Sequence, residues 1–377
     1  MTEPLVVGRL LVAGFRPGPA GVGRDMINLM NGLAKGGVEV HALVETGDNP
    51  DFQFLDPSVQ RHLEPLGKGR RGVARMRAVV EKHGPDAVIA NKDRVTGLLV
   101  EAVAELEPRP RTLVRVGIDQ PAKLSHRNPL SRWRSRRLLR ATYRKADVLV
   151  GVSQGVCDGL RVLLGHAAPP IRCIYSPMDL TGIRVCSSEE PDHPWFREPR
   201  GRLLVSVGRL SRMKDQETML RALALLPEDY RLVIFGEGKQ RPRLEVLVKK
   251  LGLGSRVDLP GYVSNPFAHV ARADLFVLSS SFEGFCNALL EALVVGTPAV
   301  STDCPSGPRE ILDGGRYGRL VPIGQPRALA EAILETMDHP PSPAMLEEAV
   351  ARLQIEQAVP KYLDALGLSV PATATVR

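Results

Sequence analysis

Short apolar runs alternate with stretches of helical period along almost the whole chain, and the alternation breaks once. In the first half, the runs at 6–13, 39–44, 87–90, 112–116, 148–152 and 171–175 are rich in Val, Ile, Leu and Ala and too short for helices, which predicts strands. Between the first two, apolar positions recur at helical spacing over 23–34, and Lys35-Gly36-Gly37 supplies a helix stop. Strands that read as continuous apolar runs are covered on both faces, so the expectation is an α/β fold with mostly parallel sheets between helices. At 185–200 the pattern lapses: Ser187-Ser188-Glu189-Glu190-Pro191-Asp192-His193-Pro194 offers little that packs. The alternation then restarts, with strands at 203–207, 231–235, 257–259, 274–278, 299–302 and near 318–321. Helices are predicted at 216–226, at 242–251 and around Glu291. This predicts one domain over 1–185, a linker over 186–200 and a second domain over 201–345. A final helix over 342–363 has room to run back, so that 346–377 braces the first domain.

Length agrees with two domains, since 377 residues exceed one ordinary core. The apolar run at 5–15 is interrupted by Arg9, is too short to span a bilayer and follows Met1-Thr2-Glu3-Pro4, which has no basic flank. It is expected to be a first strand. Five cysteines with no close pairs argue against a disulfide framework and a structural zinc site, and point to a reducing, cytoplasmic compartment. The net charge of +8 is concentrated: residues 131–146 hold seven basic side chains and no acid, with Trp133, Leu138, Leu139 and Tyr143 interspersed. A second basic cluster comprises Lys68, Arg70, Arg71, Arg75 and Arg77. A basic helix with such anchors suits an anionic membrane surface; a solvated face over a core-packed side explains it equally well. Nucleic acid is not expected, because no recognised module accompanies the charge.

The candidate chemistry lies at the ends of predicted strands, where open α/β sheets bind ligands. After the strand at 274–278 comes Ser279-Ser280-Ser281-Phe282-Glu283-Gly284-Phe285-Cys286-Asn287, leading into a helix that carries Glu291. N–H groups at Gly284 to Asn287 suit a phosphate or a sugar hydroxyl, and Glu291 can accept from a vicinal diol. A surface acid plus a helix acid is the plainer explanation of the Glu283 and Glu291 pair. After the strand at 203–207, Gly208 permits a turn, Arg209 offers a planar donor fork and Lys214 a point charge, a combination that neutralises a diphosphate. Asp303 to Glu310 brings Arg309 to the same edge. The first strand ends in a glycine-rich turn through Gly14, Gly18, Gly21 and Gly23, which lacks both the dinucleotide spacing and the Gly-Lys-Ser/Thr of a nucleotide-hydrolysing loop.

Taken in order, Gly21 to Arg24, Val207-Gly208-Arg209-Leu210 with Lys214, Phe235-Gly236-Glu237-Gly238, Leu259-Pro260-Gly261-Tyr262, Ser280 to Phe285 with Glu291-Ala292, and Gly296-Thr297-Pro298 cover nearly the whole chain. The set resembles the retaining, nucleotide-sugar-dependent glycosyltransferases of GT-B architecture, the glycogen-synthase-like family 4 group. The resemblance implies two Rossmann-like domains facing a cleft, the first binding acceptor and the second the nucleotide sugar. It implies that Arg209 and Lys214 bind the donor diphosphate, Glu291 the ribose hydroxyls and Glu283 the transferred sugar. The N–H groups of Gly284, Phe285, Cys286 and Asn287 would meet sugar and phosphate, Gly261 to Val263 the base, and Gly21 and Gly23 the diphosphate. The donor is a substrate and no cofactor is expected. No Asp-x-Asp or carboxylate cluster calls for a metal in this site.

Many family members carry a histidine after the fourth strand that contacts the donor sugar; here Val114-Arg115-Val116-Gly117-Ile118-Asp119-Gln120 has none. Asp119 or Gln120 is the substitute to consider, with His126 nearby. In the retaining mechanism ascribed to this family the leaving diphosphate takes the acceptor proton, so no dedicated base is assigned. Asn91-Lys92-Asp93-Arg94 is placed to meet sugar or acceptor. The loop from Cys304 to Leu312, with Gly314, Gly315 and Gly318, is similar to that of members using UDP-linked sugars, so a UDP-hexose or UDP-N-acetylhexosamine is preferred to GDP. The basic helix resembles those of enzymes extending lipid-linked or lipopolysaccharide sugars at the cytoplasmic membrane face. A UDP-sugar epimerase of the same architecture and a noncatalytic binding protein are the competing functions.

Overall fold

The computed structural model describes residues 5–6, 8–15, 21–45, 50–197 and 200–369. The chain divides into two units, Met1–Met178 with Ile355–Arg377, and Asp179–Gln354.

In the first unit, β1 (Leu5–Val6) precedes β2 (Arg9–Phe15), β3 (Glu39–Val44), β4 (Gln60–Leu63), β5 (Ala87–Ala90), β6 (Arg111–Val116), β7 (Val148–Gly151) and β8 (Ile171–Cys173). β2 to β8 form a parallel sheet in the order β4-β3-β2-β5-β6-β7-β8. The two-residue side-chain period of a strand explains why this sheet needs apolar runs. On β2, Leu10 and Val12 pack with Met26, Leu29, Met30 and Leu33 of the helix Gly21–Lys35, whereas Leu11 and Ala13 pack on the opposite face with Met76 and Val80 of Gly69–His83 and Leu99 of Asp93–Ala102. Each Leu or Val buried in this way contributes about 1.5–3 kcal/mol.

In the second unit, β9 (Arg202–Val207), β10 (Tyr230–Phe235), β11 (Val257–Gly261), β12 (Leu275–Leu278), β13 (Ala299–Thr302) and β14 (Arg319–Val321) form a parallel sheet in the order β11-β10-β9-β12-β13-β14. Its first strand, β9, lies between β10 and β12, so the order reverses beside β9.

Three expectations change. The strand β4 was not predicted because, as a sheet edge with mostly exposed side chains, it has no apolar run. In the expected linker over 186–200, residues 186–197 pack: His193 and Phe196 are buried, His193 Nε2 lies 2.8 Å from Asp258 Oδ2, and Asp192 Oδ1 lies 2.9 Å from His269 Nε2. Polar composition hid an aromatic cluster of His193, Trp195, Phe196, Phe235 and His269. The final helix is two, Pro343–Ala351 and Ala358–Leu366, separated where Gln354 turns to φ 50°.

The second of these helices does return to the first unit. Ala358, Tyr362, Leu363, Ala365 and Leu366 enter the core beside Met30 and Leu33, and Arg111 Nε donates to the Ala365 carbonyl at 3.1 Å. Beyond it, β15 (Leu368–Ser369) pairs in parallel with β1.

Candidate active site

The carboxyl ends of β9 and β12 are neighbours at the strand-order reversal of the second sheet, the place where a parallel sheet opens a crevice for a ligand. Two segments leave the sheet there and are tied together. Ser281 N donates to the Met213 carbonyl at 2.8 Å, and Ser279 Oγ donates to the carbonyls of Lys214 and Asp215 at 3.0 and 2.8 Å. Asp215 adopts a left-handed φ of 44°, which swings the chain into the helix Gln216–Leu223 and leaves Lys214 beside the β12 loop.

Lys214 Nζ meets Glu283 Oε1 at 2.7 Å, and Ser280 Oγ donates to the same oxygen at 2.6 Å. The two charged side chains are 14% and 7% exposed. Burial by itself pulls the ammonium down, but the adjacent Glu283 carboxylate outweighs it and holds the Lys214 pKa above its usual value. The lysine is therefore a fixed cation. Burial, and then the charge of Glu283, pushes the Cys286 thiol well up and the Cys304 thiol up to about 12, so both lie beside the ion pair as neutral groups.

Further turns press onto this pair. Thr302 Oγ1 donates to the Ser280 carbonyl at 2.6 Å, and Glu283 N to the Pro305 carbonyl at 3.3 Å. Gly307 has φ 90°, and a Cβ there would lie 2.3 Å from the Phe285 carbonyl oxygen, so only glycine lets the 303–307 turn close against Phe285. Cys286, at φ 71°, starts the helix Asn287–Val294 and Glu291 lies about one turn into it, partly exposed. On the other side of β9, Gly208 N donates to the Phe235 carbonyl at 2.9 Å and Leu210 N to the Glu237 carbonyl at 3.0 Å. A Cβ on Gly236 would come within 2.2 Å of the Gly208 oxygen. Arg209 is exposed, with its guanidinium in no ion pair among the described residues. Gly261 ends β11 at φ 99°, its carbonyl accepting from Gly236 N at 2.7 Å, and Val263 follows partly exposed. Arg309 pairs with Asp303 at the surface.

The structure thus brings Lys214, Glu283, Gly284, Phe285 and Cys286 into one connected set of turns; Arg209 lies on the loop after β9, Gly261 ends β11 and Asn287 opens the helix that follows Cys286. In the first unit, Gly21 and Gly23 open the helix Gly21–Lys35, while residues 16–20 of the glycine-rich turn lie outside the described residues. Asp119 caps the helix Gln120–Ser125, its Oδ1 accepting from Ala122 N at 3.0 Å. Gln120 is buried, donating to Asp93 Oδ1 and the Tyr143 hydroxyl at 3.0 Å, and its Oε1 has no hydrogen-bond partner among the described residues. His126 is exposed at the end of that helix.

Sequence reasoning missed Ser280 as the hydroxyl that steadies Glu283. It also missed a buried network in which Arg115 donates to Tyr362 Oη at 3.0 Å, Asp25 Oδ2 at 3.0 Å, Ser176 Oγ at 2.9 Å and Asn91 Oδ1 at 3.2 Å. The available signal was an arginine inside an otherwise apolar strand, which is stable only when paired.

Family models match both units: "Glycosyltransferase Family 4" over residues 19–181 and "Glycosyl transferases group 1" over 189–352. The chain is a GT-B glycosyltransferase of family 4. Among its relatives, an N-acetylgalactosaminyltransferase of Campylobacter jejuni, named for a diphospho-undecaprenol acceptor, is 33% identical over 53% of this chain and 53% of its own length. The chain therefore matches about half the length of that relative. The lipopolysaccharide core biosynthesis glycosyltransferase LpsE of Rhizobium meliloti is 26% identical over 83% of this chain and 84% of its own. HepE of Anabaena, solved with UDP-glucose, superposes with a TM-score of 0.79 at 18% identity, over 95% of this chain and 99% of that one. That likeness establishes the GT-B fold.

Proposed function

We propose that this family 4 member is a retaining glycosyltransferase that moves a hexose or N-acetylhexosamine from a UDP-sugar to a glycan or lipid-linked acceptor in bacterial surface polysaccharide or lipopolysaccharide synthesis. The buried Lys214–Glu283 pair carries the proposal, because it holds a permanent cation and a hydroxyl acceptor side by side at the strand-order reversal. An ammonium has three donors, so Lys214 keeps Glu283 with one and presents the others to a diphosphate. Arg209, exposed on the same loop, adds a planar fork. As the sugar–oxygen bond breaks, charge develops on the diphosphate, and fixed cations stabilise it without reorganising. That phosphate then takes the acceptor proton. Glu283 orients the transferred sugar, Glu291 takes the ribose hydroxyls, the N–H groups from Gly284 to Asn287 meet sugar and phosphate, and Gly261 with Val263 flanks the base.

In the first unit, Asp119 anchors its loop through the helix cap and Gln120 keeps an acceptor oxygen for a hydroxyl. Gly21 and Gly23, at the start of the helix Gly21–Lys35, are assigned to the donor diphosphate. UDP is supported by HepE, solved with UDP-glucose, and a lipid-linked acceptor by the diphospho-undecaprenol in the name of the Campylobacter relative.

A peripheral position on the cytoplasmic membrane face completes the proposal. Among the described residues no helix is long and apolar enough to cross a membrane. The helix Pro129–Tyr143 buries Leu139, Thr142 and Tyr143 yet exposes Leu130, Trp133 and Leu138 among its arginines. Aliphatic and indole side chains flanked by Arg suit an anionic headgroup layer.

A donor screen that follows nucleotide release, with and without lipid-linked acceptors, tests the chemistry. UDP release that requires acceptor is expected; product formed from UDP-sugar alone would favour an epimerase, and no turnover with any UDP-sugar would reject the donor. Salt-sensitive sedimentation with anionic vesicles, weakened in Trp133→Ala, tests the surface; no sedimentation at low salt would leave a soluble acceptor.

A further inference from the structure

Three imidazoles that serve no part of the sugar-nucleotide site converge at the edge of the first sheet. His41 comes from β3, His62 from the edge strand β4 and His83 from the last position of the helix Gly69–His83. One ring nitrogen from each lies within 4.8 Å of the others. His41 Nδ1 and His62 Nε2 are 2.8 Å apart, and the His62 and His83 ring centroids are 4.0 Å apart. His41 is buried, while His62 and His83 are partly exposed and leave a route from solvent.

We infer that His41, His62 and His83 form a binding site for a divalent transition-metal ion of the zinc class. Imidazole nitrogen is a favoured ligand of Zn²⁺, Cu²⁺ and Ni²⁺, and three histidines plus one solvent position make a complete tetrahedral set. With metal–nitrogen bonds of about 2.0–2.1 Å, ligand nitrogens in such a set stand about 3.4 Å apart. The 2.8 Å contact is shorter than this and the 4.8 Å limit longer, so small side-chain rotations bring the three into place.

The surroundings add a second observation. Glu39 Oε1 lies 2.9 Å from His41 Nε2, the carboxylate–histidine contact that fixes a tautomer and turns the other nitrogen toward a metal. With Nε2 protonated toward Glu39, Nδ1 carries the lone pair, and it is Nδ1 that faces His62. Arg9 and Lys82 bring positive charge near the rings, and Glu39 and Glu64 balance it. An ion there joins β3, β4 and the end of a helix, fastening an edge strand that pairs with the sheet through only four residues. Its role is structural, and its test is independent of sugar transfer.

The experiment uses the untagged full chain, stripped with a chelator and titrated with ZnSO₄ by calorimetry, then with Co²⁺ by visible absorption. Binding of one Zn²⁺ per chain is expected, with the melting temperature of the first unit raised by roughly 5–10 °C at a hundredfold excess over Kd. Intense visible Co²⁺ bands of a four-coordinate site with three nitrogen ligands should accompany it. His62→Ala and His83→Gln should each abolish the stoichiometric event, and Glu39→Gln should weaken it roughly 10–100-fold. Zinc uptake and melting unchanged by these substitutions, or a wild-type chain with no stoichiometric Zn²⁺ binding, overturns the site. If a histidine variant fails to fold, the wild-type Co²⁺ spectrum decides, since weak octahedral bands alone exclude the proposed four-coordinate site.

Discussion

Replacing Lys214 by Ala removes one member of a buried ion pair and leaves the other. Glu283 is 6% exposed, and Ser280 Oγ at 2.6 Å is then the principal remaining side-chain donor to it, with the neutral Cys286 and Cys304 thiols nearby. Breaking a buried pair from one side costs about 3–5 kcal/mol. The Lys214 side chain keeps 14% of its exposure, so some water reaches the carboxylate, and about 2–4 kcal/mol is expected. For a unit of this size that lowers the melting temperature by roughly 5–15 °C. The double substitution Lys214→Ala with Glu283→Gln removes both charges and should recover most of the loss, giving, with the two single variants, a coupling energy of about 1–3 kcal/mol. Transfer does not recover. Loss of a preorganised cation at the leaving diphosphate should lower kcat about 10²–10³-fold in both variants, as for the loss of one oxyanion donor. The assays are thermal unfolding of the second unit and UDP release at saturating donor. A Lys214→Ala enzyme with wild-type kcat refutes the diphosphate assignment, and additive stabilities in the cycle refute the ion pair.

Two further predictions concern the same turns. Gly307→Ala forces a Cβ to within 2.3 Å of the Phe285 oxygen at φ 90°, so the Gly284 to Asn287 amides should shift and the donor KM rise at least tenfold, measured by UDP-release kinetics; an unchanged KM would separate that turn from donor binding. Cys304, held up to about 12 chiefly by burial, and Cys286, also pushed well up by burial, are thiols rather than thiolates at pH 8. The partly exposed Cys173 and Cys186 should therefore alkylate first with iodoacetamide, as read by peptide mass spectrometry, and early labelling of Cys286 would contradict its burial.

Most of the strands, the parallel sheets and the turns that follow their carboxyl ends were legible along the chain. A strand buried on both faces must be apolar at every position, and Leu10 to Ala13, Ala87 to Ala90 and Leu275 to Leu278 record this directly. Gly236 and Gly307 show where backbones approach closely, and they too stand out in a linear reading. What tertiary structure decided are the pairings between distant positions. Lys214 finds Glu283 across 69 residues because parallel strands align their carboxyl ends whatever separates them in sequence, and Arg115 finds Tyr362 across 247 because the helix Ala358–Leu366 packs back onto the first sheet. The buried His193 and Phe196, inside a polar segment, and the meeting of His41, His62 and His83 from two strands and a helix end belong to the same class. Local periodicity encodes which face of an element is buried; it carries no record of which distant side chain completes a charge or a ligand set, and that is fixed only when the sheet assembles.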